Sequence, residues 1–326
     1  MGWSLPTSND VQKPEKPKWR PPRVGRPNYD RFRAEELPTV IAEIRIFADS
    51  MRIHEKAPGE NGGRPPASRR DLLKSLLFLE KARVPIPESK GWLTEFQDLL
   101  GLKHVYCPRT LYKYRSDPGI TQLLDRAIRV SARPLWLKET IAGIDASGIP
   151  RLKGENWSAD REKPERHDLY DKLHILIGTK TGVIAAARTT FGNWHDAPQF
   201  VPLLKAVEAW DHIEVITADA GNISRVNCEE VKARGATPYI DPKENAVLRS
   251  KPSDAYEAMV SFERHFPNRW HERYRWRTKL ESMFHAIKAA MVEGVRGKSA
   301  TSRRNQILAR CVVHNLRMTV LDRYGA

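Results

Sequence analysis

The sequence predicts an α/β protein: a mixed five-stranded sheet with helices, preceded by an α-helical region. Three observations carry this. Up to about residue 137 the apolar residues recur at helical spacing. From about residue 139 short apolar strands alternate with helical stretches, the pattern of a sheet covered by helices. Two of those strands end in an aspartate, at Asp145 and Asp219. With 326 residues the chain has room for more than one cored region.

Taken in order, residues 1–34 are rich in Pro, Lys and Arg (Lys16-Pro17-Lys18-Trp19-Arg20-Pro21-Pro22-Arg23) and lack the apolar content for a core. They read as a basic flexible arm, lying along DNA or merely solubilising the chain. A helical region follows over 35–137. Leu37, Ile41, Ile44 and Phe47 share one face of a helix that runs from Ala34 to Met51. Ser68 is placed to cap a helix over Arg69–Ala82. After Pro85 and Pro87 another helix runs from about Gly91 to Leu100 and stops at Gly101. Pro108 then opens a short basic-aromatic helix with Arg109, Tyr112, Lys113, Tyr114 and Arg115. Helix, Gly-bearing turn, short basic helix is the outline of a helix-turn-helix. It makes Arg109, Lys113 and Arg115 candidate DNA contacts, with Tyr112 and Tyr114 as contacts or core. A linking helix is expected over 120–137.

The α/β region, 138–326, opens on the strand Thr140–Asp145. Strands follow at 173–178 and 183–190, joined by a turn over Gly178–Gly182. A helix over 197–210, a strand over 213–219, a helix over 222–234 and a strand over 237–240 come next. Helices are expected at 254–266, 270–291 and 302–321. Three hairpin-like strands, then helix, strand, helix, strand and helices is the order of a ribonuclease H-like fold. In that order the first and fourth strands are neighbours, which brings Asp145 and Asp219 together.

The predicted helix over 270–291 carries a polar ridge. At about 100° per residue, Tyr274, Arg277, Glu281 and Lys288 fall within an arc of roughly 60°. Leu280, Phe284, Ile287 and Met291 form the apolar stripe beside it. Glu281 is therefore placed to face the two strand-terminal acids. Three converging carboxylates repel unless cations neutralise them. Hard oxygen ligands suit Mg²⁺ or Mn²⁺, and two such ions about 3.5–4 Å apart can clamp a scissile phosphate.

These residues carry a resemblance. Asp145 in Ile144-Asp145-Ala146-Ser147-Gly148, Asp219 in Thr217-Ala218-Asp219-Ala220-Gly221, and Glu281 resemble the three acids of an insertion-sequence transposase of the DDE class. Tyr274, two residues, Arg277, three residues, Glu281, six residues, Lys288 is similar to the Tyr-(2)-Arg-(3)-Glu-(6)-Lys signature of one group of these enzymes. His195-Asp196 and the run from Gln306 to His314-Asn315-Leu316 add to it. The resemblance implies DNA cleavage at element ends by water attack, then strand transfer by attack of a 3′-hydroxyl on target DNA. It implies that Asp145, Asp219 and Glu281 hold two Mg²⁺ or Mn²⁺ ions and that Arg277 and Lys288 contact phosphates rather than serve as ion-pair partners. Tyr274 would stack on a base or buttress a backbone turn. One departure stands out: relatives commonly have Tyr-Asp where this chain has Asn222-Ile223, so a neighbouring acid is missing.

Composition agrees with a polyanionic partner. Lys and Arg number 55 against 40 Asp and Glu, a net charge of +15. The expected partners are double-stranded DNA, both terminal inverted repeats and target, and further copies of the chain, since joining two ends needs a dimer or more. A stretch of eighteen apolar residues is absent and the N-terminus has no apolar signal region, which predicts a cytoplasmic, nucleoid-associated protein without a membrane partner. The three cysteines, Cys107, Cys228 and Cys311, form no paired metal motif. Two other readings remain open on sequence: a DNA-binding relative that has lost catalysis, and a ribonuclease H-like nuclease unconnected with transposition.

Overall fold

The structure is a computed structural model that describes residues 26–55, 66–152, 170–242, 246, 253–290 and 294–325. Most of the predicted basic arm lies outside the described residues. Its last part does not behave as an arm: helix α1 (Arg26–Ser50) starts at Arg26. The reason is aromatic. Phe32 is fully buried and meets the Tyr324 ring edge-on at 5.7 Å, while Tyr29 packs on Phe32.

Helix α2 (Arg69–Ala82) begins where its cap predicts, with the Asp71 amide donating to Ser68 Oγ at 3.2 Å. Two short helices follow, α3 (Ser89–Glu95) and α4 (Gln97–Leu100), and Gly101 ends them in the left-handed region at φ 59°. Pro108 opens α5 (Pro108–Arg115), and Asp117 caps α6 (Pro118–Trp136) through the Gly119 amide.

Five strands follow the helices: β1 (Ile141–Pro150), β2 (Tyr170–Gly178), β3 (Ile184–Phe191), β4 (Val215–Ala218) and β5 (Thr237–Ile240). Their spatial order is β3-β2-β1-β4-β5. β1, β2 and β3 form an antiparallel meander, while β4 and β5 join β1 in parallel. This is the mixed sheet of a ribonuclease H-like domain. β1 and β2 run longer than the sequence pattern indicates, so the meander projects past the ends of β4 and β5.

The remaining helices are α7 (Ala197–Lys205), α8 (Arg225–Ala233), α9 (Asp254–His265), α10 (Pro267–Tyr274), α11 (Trp276–Ala290) and α12 (Ala300–Arg323). The single helix expected over 270–291 is two helices that break at Arg275. No described helix is long and apolar enough to cross a membrane.

Strand alternation assigns two faces to the sheet. Ile149, Leu173, Ile175, Ile177 and Ala187 point to the face covered by α11 and α12, where α1 and α2 complete the same core. Ala142, Ile144, Leu176 and Ala186 point the other way, onto Phe200, Leu203 and Leu204 of α7. Helix α6 serves both, with Leu124 and Ile128 in one core and Leu135 and Trp136 in the other. One buried side chain of α12 ties three elements. Asn315 Nδ2 donates to the carbonyls of Ile184 (2.8 Å) and Ile128 (3.2 Å) and to Ser131 Oγ, while its Oδ1 accepts from the Ile184 amide at 2.9 Å.

Candidate active site

The site is built on strand ends. In the parallel pair β1–β4 the last registered partners are Ile144 and Ala218. Asp145 and Asp219 come next, on strands spaced about 4.8 Å apart, so the structure brings together the two acids that the strand order predicts. Asp145 is largely buried, and its Oδ1 accepts the Ala146 amide at 2.8 Å. Burial pushes its carboxyl up to about 6; the charge of Asp219 adds to this, and the Arg277 guanidinium opposes it.

A third strand continues the row. β5 pairs with β4 through Ile240 and Ala218, and the Asp241 amide donates to the Ala218 carbonyl at 3.3 Å. Asp241 therefore stands beside Asp219, and three neighbouring parallel strands each run into an acid at one level. Burial raises the Asp241 carboxyl, and the charges of Arg277 and His271 lower it. Sequence reasoning missed Asp241. The signal was present, since Ile240-Asp241 closes the fifth strand just as Asp145 and Asp219 close theirs.

Asp219 is oriented by the residue that departs from the family pattern. Asn222, buried in the 3-10 turn Ala220–Asn222, donates from Nδ2 to Asp219 Oδ1 at 2.6 Å. Asn227 on α8 holds Asn222 in turn, donating to its carbonyl at 2.7 Å. Asn222 thus supplies a neutral donor aimed at Asp219, while Ile223 stands at the position of the missing acid.

Helix α11 crosses β1 because Gly143 lets it. A Cβ on Gly143 would lie 2.0 Å from Leu280 Cδ1, so the Leu280 side chain occupies the space over that glycine. This fixes Arg277 and Glu281 relative to Asp145, two residues further along β1. Arg277 Nη1 donates to Glu281 Oε1 at 2.7 Å. Asp145 and Asp219 both help keep the guanidinium charged, after Tyr274 and Glu281 and against the opposing effect of burial. Arg277 is therefore paired with Glu281 in this structure. The Glu281 side chain is 58% exposed and faces Arg277. Among the described residues no three His, Cys, Asp or Glu side chains are close enough to hold a metal ion together.

The predicted ridge needs a correction. Tyr274 ends α10, before the break at Arg275, and so is not on the face of α11 that carries Arg277 and Glu281. Its ring stacks on Trp270 at 6.0 Å, and burial raises its hydroxyl above the usual range. Lys288 belongs to α11, but its side chain lies outside the described residues.

A further acid, Asp196, approaches from the β3–α7 connection. Lys172 Nζ lies 2.6 Å from Asp196 Oδ1 and His174 Nδ1 lies 3.3 Å from it. Neither is aimed along a hydrogen-bonding direction, so this buried oxygen is neutralised by charge yet unsatisfied. His174 is buried, and desolvation pushes its imidazole down to about 4, which keeps it neutral near pH 7. His195 is exposed beside it.

The donor set suits a hard divalent cation: neighbouring carboxylate oxygens, and an Asp145 whose charge is disfavoured by burial and by Asp219.

In the helical region Arg109 and Lys113 are exposed on α5. Arg115 is not. It is 4% exposed, donates from Nε to Ser302 Oγ at 2.9 Å and lies over the Tyr112 ring. A residue so placed joins α5 to α12 and cannot reach DNA, which corrects the sequence expectation.

No solved structure matches the chain. A protein-family model does: the transposase DDE domain, over residues 136–316. That span is more than half of the chain and contains the three strand-end aspartates, Asn222 and helix α11. The chain belongs to the transposase DDE domain family.

Proposed function

We propose that this chain is a DNA transposase that cleaves DNA at insertion-sequence ends and joins the freed 3′-hydroxyl to target DNA. The observation that carries the reading is that Asp145 and Asp219 directly follow the last paired residues of two neighbouring parallel strands, with Arg277 near enough to feel both charges while it pairs with Glu281. Asp145, Asp219 and Glu281 would hold two Mg²⁺ or Mn²⁺ ions, which supply Lewis-acid activation of the attacking oxygen and stabilise the leaving one. Glu281 is not tied down by its present partner: a half-exposed i,i+4 pair is worth about 0.3–0.5 kcal/mol.

The chain's own residues do the rest. Asn222 keeps one Asp219 oxygen fixed through its 2.6 Å hydrogen bond, which sets where the other can point. Arg277, drawn toward the acids in the free protein, has the fork geometry to take up a phosphate once those acids are neutralised. Lys288 is assigned to phosphate as well, and Tyr274 to buttressing the α10–α11 turn. Arg109 and Lys113 on α5 contact the terminal repeats in a helix-turn-helix-like manner, and two copies of the chain act during synapsis.

The test is Mg²⁺- or Mn²⁺-dependent nicking and joining of element-end DNA, expected to be lost in Asp145→Ala, Asp219→Ala and Glu281→Ala. Full activity in all three variants refutes the site assignment. The exposed, Arg277-paired Glu281 favours one second reading, a DNA-binding relative impaired in catalysis. It predicts salt-sensitive DNA binding with neither nicks nor joined strands.

A further inference from the structure

Asp196 lacks the job its position ordinarily gives. It sits at the N-cap of α7, where an aspartate usually accepts a backbone N–H, yet its side chain makes no cap hydrogen bond. The carboxylate turns toward the sheet instead. One oxygen, Oδ1, is held between Lys172 Nζ at 2.6 Å and His174 Nδ1 at 3.3 Å. His174 is itself fixed by Thr190, whose Oγ1 lies 2.8 Å from Nε2. So β2 and β3 together clamp one end of this carboxylate.

The other oxygen looks at the site. The position that a Cβ on Gly221 would occupy lies 3.2 Å from Asp219 Oδ1 and 3.7 Å from Asp196 Oδ2. Both carboxylates thus border the open space over a residue with no side chain, and Gly221 itself is exposed. Like charges so arranged raise the energy of the free protein unless a cation comes between them. A structural ion pair with Lys172 does not explain it, because a partly exposed pair contributes little and does not require the second oxygen to face Asp219.

We propose that Asp196 is a fourth carboxylate of the cation site, sharing with Asp219 an ion bound over Gly221; the inference rests on the reading of this site as divalent-metal-dependent. Lys172 and His174 act as positioning residues, holding Oδ1 so that Oδ2 is presented.

The test reads metal binding rather than turnover. The full-length protein is titrated with Mn²⁺ alone, with and without duplex DNA, and free Mn²⁺ is followed by its paramagnetic resonance signal. Asp196→Asn and Gly221→Ala are each expected to weaken Mn²⁺ binding about tenfold or more, the range for loss of groups that shape a metal site. Gly221→Ala fills the gap without touching either acid, so it carries the test if Asp196→Asn melts early in chelator. Mn²⁺ affinity equal to wild type in both folded variants overturns the proposal. Wild-type protein that takes up no Mn²⁺ overturns it too. Asp196-dependent Mn²⁺ uptake by a chain that cuts no DNA upholds it, while refuting the cleavage reading.

Discussion

Gly143→Ala is the sharpest mechanical test of how α11 is set against the strand-end acids. The added Cβ would lie 2.0 Å from Leu280 Cδ1, whereas ordinary contact begins at 3.4 Å, so 3.4 − 2.0 = 1.4 Å of movement is required. Leu280 is fully buried between α11 and the sheet, so the movement falls on the side chain and the helix together. Overpacking of this kind costs about 1–3 kcal/mol. A displacement near 1 Å of groups that position a reaction costs on the order of 100-fold in rate. The expected result is a lowered melting temperature and a fall of about 100-fold in single-turnover cleavage at saturating DNA. The part of DNA affinity owed to Arg109 and Lys113 should hold, because α5 lies elsewhere. Adding Leu280→Ala supplies the control. That change is costly alone, about 2–5 kcal/mol, but it vacates the clash, so Gly143→Ala should cost almost nothing further in its background. Wild-type melting and cleavage in Gly143→Ala, or full additivity in the double variant, refutes the packing argument.

Other expectations follow from the same site and its surroundings. Asn222→Ala removes a hydrogen bond to a carboxylate worth about 1.5–3 kcal/mol, so single-turnover cleavage should fall roughly 10- to 100-fold with DNA affinity unchanged; unchanged cleavage would remove Asn222 from the site. Asp145→Asn should stabilise the metal-free protein in melts at pH 8 and about half as much at pH 5. The sign follows from a folded carboxyl near 6 against an ordinary value of 3.8: its favourable contribution is complete below pH 3.8 and is lost as pH rises through 6, about 3 kcal/mol in all. The wild-type comparison is needed because buried His174 and half-buried His314, both pushed down to about 4, cost stability in the opposite direction as pH falls below 6.5. Arg115→Met should lower the melting temperature yet leave the DNA affinity of the folded fraction unchanged. Arg109→Ala and Lys113→Ala should each weaken binding and reduce the salt slope by about one.

Much of the fold was legible because its signals are local. Ser68, Gly101 and Pro108 mark helix ends by capping and backbone chemistry, and the strand order placed Asp145 beside Asp219 before any coordinates. What failed depended on tertiary contact. The helical wheel through Tyr274 assumed an unbroken helix, and the break at Arg275 carries neither Pro nor Gly to announce it. Arg115 looked like a surface cation because nothing nearby in sequence reveals Ser302 against it, 187 residues away. Phe32 sat in a stretch read as an arm, since its aromatic partner Tyr324 is almost at the other end of the chain. Asn222 was read as a loss because a departure from a pattern shows what is missing, not what the new side chain bonds.

The four hydrogen bonds of Asn315 have a consequence in time. Until residue 315 has left the ribosome, the edge strand β3 lacks partners for both polar groups of Ile184, and α6 lacks its tie at Ile128 and Ser131. Contacts between the first helix and the last have the same long separation. Such topology folds slowly and late. The scaffold around β3 and α6 therefore closes only once residue 315 has emerged, however early the preceding strands and helices form.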